Sequence, residues 1–338
     1  MSQFERLTID DIARLANVSR TTASMVLNGH AERYRIARST VERVLAVAAA
    51  HHFSPSQSAR ALRSRKSGTL GLVIPELTNF AHASLAQALE TQSRAAGYQL
   101  LIVTSDDDAQ CEADGIVQLL ARQVEGLIVV PATNEPSLYL RCAKRLPLVF
   151  ADRRVADCDI PWVVTDASAS VTELVGSLLA HGVEEVVYFG GQSELSPSRD
   201  RLAGYRAALA AAGRTEGADW VHQRDYRRAS GQALTAAWHA AHGRDPQAVF
   251  TGSITLLEGV LAELIAQDRL DEAPRLVTFD DHPLLDCLPL PIDAVAQDTA
   301  QMAKHSLAAI QAQLAGQTPE NVLVPARLHR RGTNAHRR

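Results

Sequence analysis

The sequence predicts a small all-α helix-turn-helix head followed by a two-lobed α/β body of doubly wound parallel sheets. Three observations predict it. Residues 9–48 carry three short helical patterns broken by tight-turn signals. From Leu70 onward, short apolar runs alternate with helical patterns, the signature of parallel strands buried on both faces. The charge divides at the same place: residues 1–66 hold eleven Lys/Arg and five Asp/Glu, a net +6, leaving −10 for the remainder of a chain whose total is −4.

The head comes first. Thr8 is a good N-cap, and Asp10 and Asp11 fill the first turn of a helix whose apolar positions are Ile12, Leu15 and Ala16. Asn17 tolerates the left-handed backbone that ends a helix, and Val18 plugs the turn. Ser19 caps a second helix, Arg20–Leu27, and small Ala13 and Ala23 allow the two helices to approach closely. Asn28-Gly29 stops it, and a third helix begins near Ser39 and Thr40 with Val41, Val44, Leu45 and Ala48 on one face. A basic three-helix unit of this kind suits a DNA reader, because Lys and Arg displace counterions from phosphates. At the start of the second helix, Arg20 can fork onto a guanine, Thr21 can reach a base edge, and Met25 offers apolar contact. Thr8, Ser19, Thr22, Asn28, Arg35, Ser39 and Thr40 suit phosphate contacts. Pro55 opens a short helix, Ser56–Leu62, and Leu62 is an apolar side chain among cations that can wedge into a minor-groove step.

The body follows. Ten strand segments are expected, at GLVIPEL, YQLLIVTS, GLIVVPA, PLVFADR, WVVTD, EEVVYFGG, WVHQ, AVFTG, RLVTFDD and AVAQD. The helices between them are expected at Ala83–Ala96, Gln110–Arg122, Leu138–Arg145, Val171–His181, Arg199–Ala212, Ser230–Ala241, Leu256–Gln267 and Met302–Leu314. These are too many strands for one sheet, hence two lobes. The expected division is 1–53 for the head, 54–68 for a hinge helix and linker, 69–332 for the body and 333–338 for a basic tail.

Composition bounds the function. The chain is 46% hydrophobic and 21% charged, ordinary for a soluble globular protein. No apolar run is long enough to span a membrane, and the N-terminus lacks a signal-peptide core. Cys111, Cys142, Cys158 and Cys287 are widely spaced, as reduced thiols in a cytoplasmic protein would be. There is no HExxH, GxSxG, GxGxxG or P-loop, so no metal, cofactor or catalytic residue is expected. The Asp106-Asp107-Asp108 run, with no His or Cys at ligand spacing, is expected to be a solvated loop.

In doubly wound folds, ligands bind outside the carboxyl ends of strands. That rule selects Pro75–Phe80, Ser105–Asp108, Ala151–Arg154, Gly190–Arg201, Thr251–Ser253 and Phe279–His282. These loops are rich in Asp, Arg, Ser and Asn, which pair with sugar hydroxyls, and Arg also forks onto phosphate.

The motifs IDDIARLANVSRTTASMVLNG, RIARSTVERVLAVA and SARALRSRKSGTLGLVIPELTNF, followed by ARQVEGLIVV, FADRR, RDRLAGYRAAL, TFDDHPLLD and IDAVAQD, closely resemble the LacI/GalR family of repressors along nearly the whole chain. FGGQSELSPSRDRLAGYRAAL and TFDDHPLLDCLPLPIDAVAQD are most similar to its sucrose-operon branch. The fructose repressor (catabolite repressor/activator) branch comes next. The resemblance implies a periplasmic-binding-protein-like body and a homodimer on double-stranded, near-palindromic operator DNA. It implies base reading by Arg20, Thr21 and Met25, and hinge contacts at Ala59 and Leu62. It implies effector contacts at Asn79, Phe80, Asp106, Asp152, Arg153, Arg201 and Asp280, with Ser196 and Ser198 alongside, and fructose or fructose 1-phosphate as ligand.

Four positions depart from the fructose branch or the wider family. Asp280 stands where the fructose branch has Gly, and an acid there opposes a nearby phosphate. Ser84 stands where that branch has Arg, and Ser253-Ile254 replaces a common Asn-Asp pair. The tail has no leucine heptads, which favours a dimer over a tetramer. The alternatives are a dual regulator that also activates, and a sugar-modifying enzyme carrying a DNA-binding head.

Overall fold

The computed structural model describes residues 7–51, 53 and 67–333. The expected hinge residues Ala59 and Leu62 lie outside the described residues. The chain divides into two compact units, Met1–Ser67 and Gly68–Arg338.

The first unit contains α1 (Ile9–Leu15), α2 (Arg20–Leu27) and α3 (Arg38–Ala50). Its core is small: Ile12, Ala13, Ala16, Ala23, Val26 and Val44. Ala13 and Ala23 are both buried, as a close helix pair requires. Asn17 takes a φ of 52°, the left-handed turn its residue type tolerates. Arg43 Nε donates to the Ala16 carbonyl at 2.8 Å, tying α3 to the end of α1.

The second unit has two six-stranded sheets. The N-lobe sheet has the order β11-β5-β4-β3-β1-β2. Its strands are β1 (Thr69–Ile74), β2 (Gln99–Thr104), β3 (Leu127–Val129), β4 (Leu148–Ala151), β5 (Trp162–Thr165) and β11 (Val322–Val324). The C-lobe sheet has the order β12-β10-β9-β8-β6-β7. It uses β6 (Val186–Gly190), β7 (Val221–Gln223), β8 (Ala248–Thr251), β9 (Arg275–Phe279), β10 (Asp293–Ala296) and β12 (Arg327–His329). Every pairing is parallel except β10 with β12.

Helices cover both faces of each sheet, which is why the strands are apolar runs rather than alternating patterns. In the N-lobe, α4 (Phe80–Ala95) and α11 (Thr299–Leu314) cover one face, and α5 (Ala109–Ala121) and α6 (Ser137–Ala143) the other. In the C-lobe, α7 (Ala167–Ala180) and α8 (Ser196–Ala211) oppose α9 (Arg228–His242) and α10 (Ile254–Ala266). The chain crosses between lobes three times: from β5 to α7, from β10 to α11, and from β11 to β12.

Two differences from the sequence reading are informative. The eight expected body helices all begin earlier in the structure, by up to four residues. Five of these first turns are stabilised by the caps Asn79, Asp108, Asp166, Ser253 and Asp298, whose side chains accept backbone N–H groups. Apolar periodicity is silent there because several of these turns face the cleft between the lobes. The sequence reading also ran past β11 and β12, three-residue strands too short to show a pattern. Among the described residues, no helix is long and apolar enough to cross a membrane.

The α9–α10 contact depends on two glycines. A Cβ on Gly231 would lie 2.1 Å from the Leu256 carbonyl oxygen, and one on Gly259 2.1 Å from the Arg228 carbonyl oxygen. Both obstacles are backbone and cannot rotate away. We predict that Gly231→Ala lowers unfolding stability by about 1–3 kcal/mol in urea titrations. An unchanged midpoint would show that the helices separate freely.

Candidate functional site

In the head, the side chains expected to read DNA stand on capped helices. Thr8 caps α1: its hydroxyl accepts from the Asp11 amide at 3.3 Å, and the Asp11 carboxylate accepts from the Thr8 amide at 2.9 Å. The Thr8 hydroxyl also donates to the Asp11 carboxylate at 2.7 Å, and this bond, with those from the Thr8 amide and Arg14, holds the Asp11 pKa down at about 2. Ser19 caps α2 by accepting from the Thr22 amide at 3.1 Å, and the Ser19 and Thr22 hydroxyls lie 2.8 Å apart. Arg20 and Thr21 are therefore fixed in backbone position at the start of α2 and are exposed. Arg20 lies 3.4 Å from Asp10, an exposed pair of the kind that dissociates at little cost. Met25 is half-buried one turn on. Asn28 turns back to donate to the Ser24 carbonyl at 2.6 Å. Arg35, at a φ of 51°, and Ser39 are exposed.

In the body, a cavity of about 580 Å³ lies between the lobes. Its walls are the loops that follow strands in both sheets. The N-lobe contributes Asn79 and His82 from α4, Asp106 and Asp107 after β2, and Asp152 and Arg153 after β4. The C-lobe contributes Gln192 after β6, Arg201 from α8, Asp225 and Tyr226 after β7, Ser253 after β8 and Asp280 after β9. Four of these residues carry left-handed backbones: Asp106 (φ 53°), Asp107 (56°), Asp152 (63°) and Asp280 (69°). Asp tolerates this region better than most residues, but such strain persists only where the surroundings enforce it.

Arg153 is 4% exposed. Its Nη1 donates to Asp107 Oδ1 at 2.5 Å and to the Pro131 carbonyl at 3.1 Å, and its Nη2 to Asp107 Oδ2 at 3.3 Å. The Asp106-Asp107-Asp108 run is thus more than the solvated loop expected of it. Asp107 holds Arg153 in a fork, Asp108 caps α5, and Asp106 lines the cavity. Arg201 is 5% exposed, donates Nη1 to the Gly252 carbonyl at 2.6 Å and sits 3.8 Å above the Phe279 ring. Asp280 accepts from Gln297 at 2.7 Å, and Gln297 accepts from Thr165 at 2.5 Å, so the C-lobe carboxylate is linked to β5 of the N-lobe. Burial raises the Asp280 pKa, against the opposing pull of Arg201.

Three expected contacts sit apart from the cavity wall. Ser196 is buried and accepts from the Arg154 amide at 2.8 Å, and Ser198 is buried 2.8 Å from the Tyr226 hydroxyl. Phe80 packs edge-on to His282, centroids 4.3 Å apart, across the cleft mouth. The Arg154–Ser196 and Phe80–His282 contacts, with the 2.8 Å Arg154–Asp200 ion pair, join the two lobes, whereas Ser198–Tyr226 lies within the C-lobe. The sequence reading missed His82, Asp225 and Tyr226. His82 was within reach, because Asn79 and His82 are one helical turn apart and share a face. The strand-end rule applied to WVHQ reaches Asp225 and Tyr226.

We predict that Asp107→Ala, which strands the Arg153 cation, destabilises the body by about 2–4 kcal/mol in urea unfolding. Asp107→Asn keeps an acceptor and should cost less; equal losses would mean the charge is irrelevant.

Comparison with known proteins fits this geometry. Residues 8–56 match the family described as bacterial regulatory proteins, lacI family, and residues 67–327 match periplasmic binding proteins and sugar binding domain of LacI family. The chain is 44% identical to the sucrose operon repressor of Klebsiella pneumoniae over 94% of its own length and 95% of that protein's. It is 38% identical to the fructose operon regulatory protein of Vibrio cholerae, over 89% and 92% respectively. Among solved structures, the Cra transcriptional dual regulator of Pseudomonas putida in complex with fructose 1-phosphate superposes with a TM-score of 0.73 at 32% identity, covering 78% of this chain and 98% of that one. The lac repressor dimer bound to operator shares the fold with a TM-score of 0.84 at 22% identity, covering 97% and 99%. With a lacI-type head and a sugar-binding-type body spanning most of its length, the chain belongs to the LacI family of bacterial regulatory proteins.

Proposed function

We propose that this protein is a cytoplasmic, homodimeric repressor of sucrose or fructose utilisation genes, released from its operator by a small sugar such as fructose or fructose 1-phosphate. The observation that carries this reading is the cleft itself: Asn79, Asp152, Arg201 and Asp280 converge from both lobes on a cavity of about 580 Å³. Carboxylate, amide and guanidinium groups pair with vicinal hydroxyls, and a ligand touching both lobes alters the balance between their open and closed arrangements. The similarity to a sucrose operon repressor over nearly the full length supports the choice of sugar. No catalytic step belongs to this reading, and incubation with ATP and sugar is expected to give no turnover. A dual regulator is the second reading, favoured by 38% identity over 91% of this chain to the catabolite repressor/activator of Escherichia coli. Operator position relative to the promoter separates the two.

In this mechanism Arg20 and Thr21 read base edges, with Met25 against an apolar edge. Thr8, Ser19, Thr22, Asn28, Arg35 and Ser39 fix the head on phosphates. Using an operator selected by the protein from a random duplex library, Arg20→Ala should weaken binding by about 1–3 kcal/mol and relax the preference at one base pair. A uniform loss across all sequences would reassign Arg20 to phosphate. In fluorescence anisotropy titrations, saturating sugar should lower operator affinity by about 5–150-fold, and operator should weaken sugar binding by the same factor. Equal operator affinity with and without fructose and fructose 1-phosphate would remove both as inducers.

A further inference from the structure

His82 stands in the cleft with one ring nitrogen unpaired among the described residues. It lies in the first turn of α4, lines the cavity and is 8% exposed. Its Nδ1 is buried and, among the described residues, has no hydrogen-bond partner. Arg201 Nε, across the cleft, is buried and unpartnered in the same way. Buried polar atoms are rarely left unpaired, and with Arg153 Nε and Gln192 Oε1 four such side chains line one cavity, which points to a ligand that completes them. Burial holds the His82 imidazole below its ordinary pKa, against the pull of Asp152, Asp107 and Asp280. A neutral ring has one donor and one acceptor nitrogen, which matches a hydroxyl in either sense.

The charges around His82 define the kind of hydroxyl compound. The Arg153 fork is occupied by Asp107 on two oxygens. Arg201 is spread over the Phe279 ring and shares its surroundings with the carboxylates of Asp152 and Asp280. Six carboxylates and four arginines line the whole cavity. A phosphate dianion would enter walls that already carry an excess of acid, whereas a neutral polyol offers O–H donors to those same carboxylates.

We propose that His82 contacts the effector directly and that, with Arg201, Asp152 and Asp280, it makes the cleft select an uncharged polyhydroxylated sugar over its phosphate monoester. The proposal rests on the reading that the cleft binds a sugar. It names the ligand's charge and adds a binding residue.

The test is isothermal titration of the full chain at neutral pH with fructose, sucrose and fructose 1-phosphate. Fructose or sucrose should bind at least about tenfold more tightly than fructose 1-phosphate. His82→Phe should lower the affinity for the uncharged sugar by about tenfold or more, and His82→Gln should restore part of it. Thermal melting of the ligand-free His82→Phe variant should be unchanged or higher, since an unpaired buried nitrogen is removed, so lost affinity is not lost folding. Tighter binding of fructose 1-phosphate, or sugar affinity that His82→Phe leaves intact, overturns the proposal. Wild-type protein that binds none of the three overturns the sugar reading of the cleft as well.

Discussion

In both lobes, parallel strand pairing directs the strands' carboxyl ends into a single cleft. This one constraint positions nearly everything that can meet a ligand. Asp106 and Asp107 follow β2, Asp152 and Arg153 follow β4, Asp225 follows β7, and Asp280 follows β9. Each of these strands passes abruptly into a loop, and several of the loops are made by Asp in the left-handed region. The strain is local and costs on the order of 1–3 kcal/mol per residue, held in place by sheets buried on both faces.

Electrostatics then divides the cleft's arginines by task. Arg153 is neutralised by Asp107 and hydrogen-bonded to the Pro131 carbonyl just after β3, so it shapes the N-lobe wall more than it offers charge to a ligand. Arg201, stacked on Phe279 and without a forked carboxylate partner, is the more available cation. Asp280 is tied through Gln297 to Thr165, close to two of the inter-lobe crossovers. Asp280 is therefore hydrogen-bonded into the segments that connect the lobes. At the cleft mouth, Phe80 against His282 and Arg154 against Asp200 and Ser196 already join the walls. Lobe movement in either direction makes or breaks those contacts.

The head follows a parallel logic on a smaller scale. Among the described residues its core cluster is small, so its geometry leans heavily on caps: Thr8 with Asp11, Ser19 with Thr22, and Arg43 on the Ala16 carbonyl. The caps use the side chains expected to touch phosphate, while Arg20 and Thr21 project from a helix start that cannot shift without breaking them. The Arg20–Asp10 pair is exposed and holds the guanidinium only weakly.

Much of this was legible in the sequence because it is local. Apolar runs with helical patterns between them gave the alternating body, Asn17 and Asn28-Gly29 gave the turns of the head, and the strand-end rule reached Asn79, Asp152, Arg153, Arg201 and Asp280 before any coordinates. What was illegible depends on distant partners or on segments too short to show a period. The first turns of the body helices, β11 and β12 fall in the second group. In the first group, Arg153 reads as a free cation until Asp107, 46 residues away, is seen to hold it. Ser196 and Ser198 read as ligand groups until Arg154 and Tyr226 are seen to occupy them. His82 reads as one more helix residue until its ring is found buried in the cleft with an unpaired nitrogen. Sequence alone determined the element types and the loops that carry the chemistry, because backbone propensity and periodicity act over a few residues. Tertiary structure decided which polar groups remain available to a ligand, because a charge or hydrogen bond is satisfied by whatever the fold brings within about 3 Å, regardless of separation along the chain.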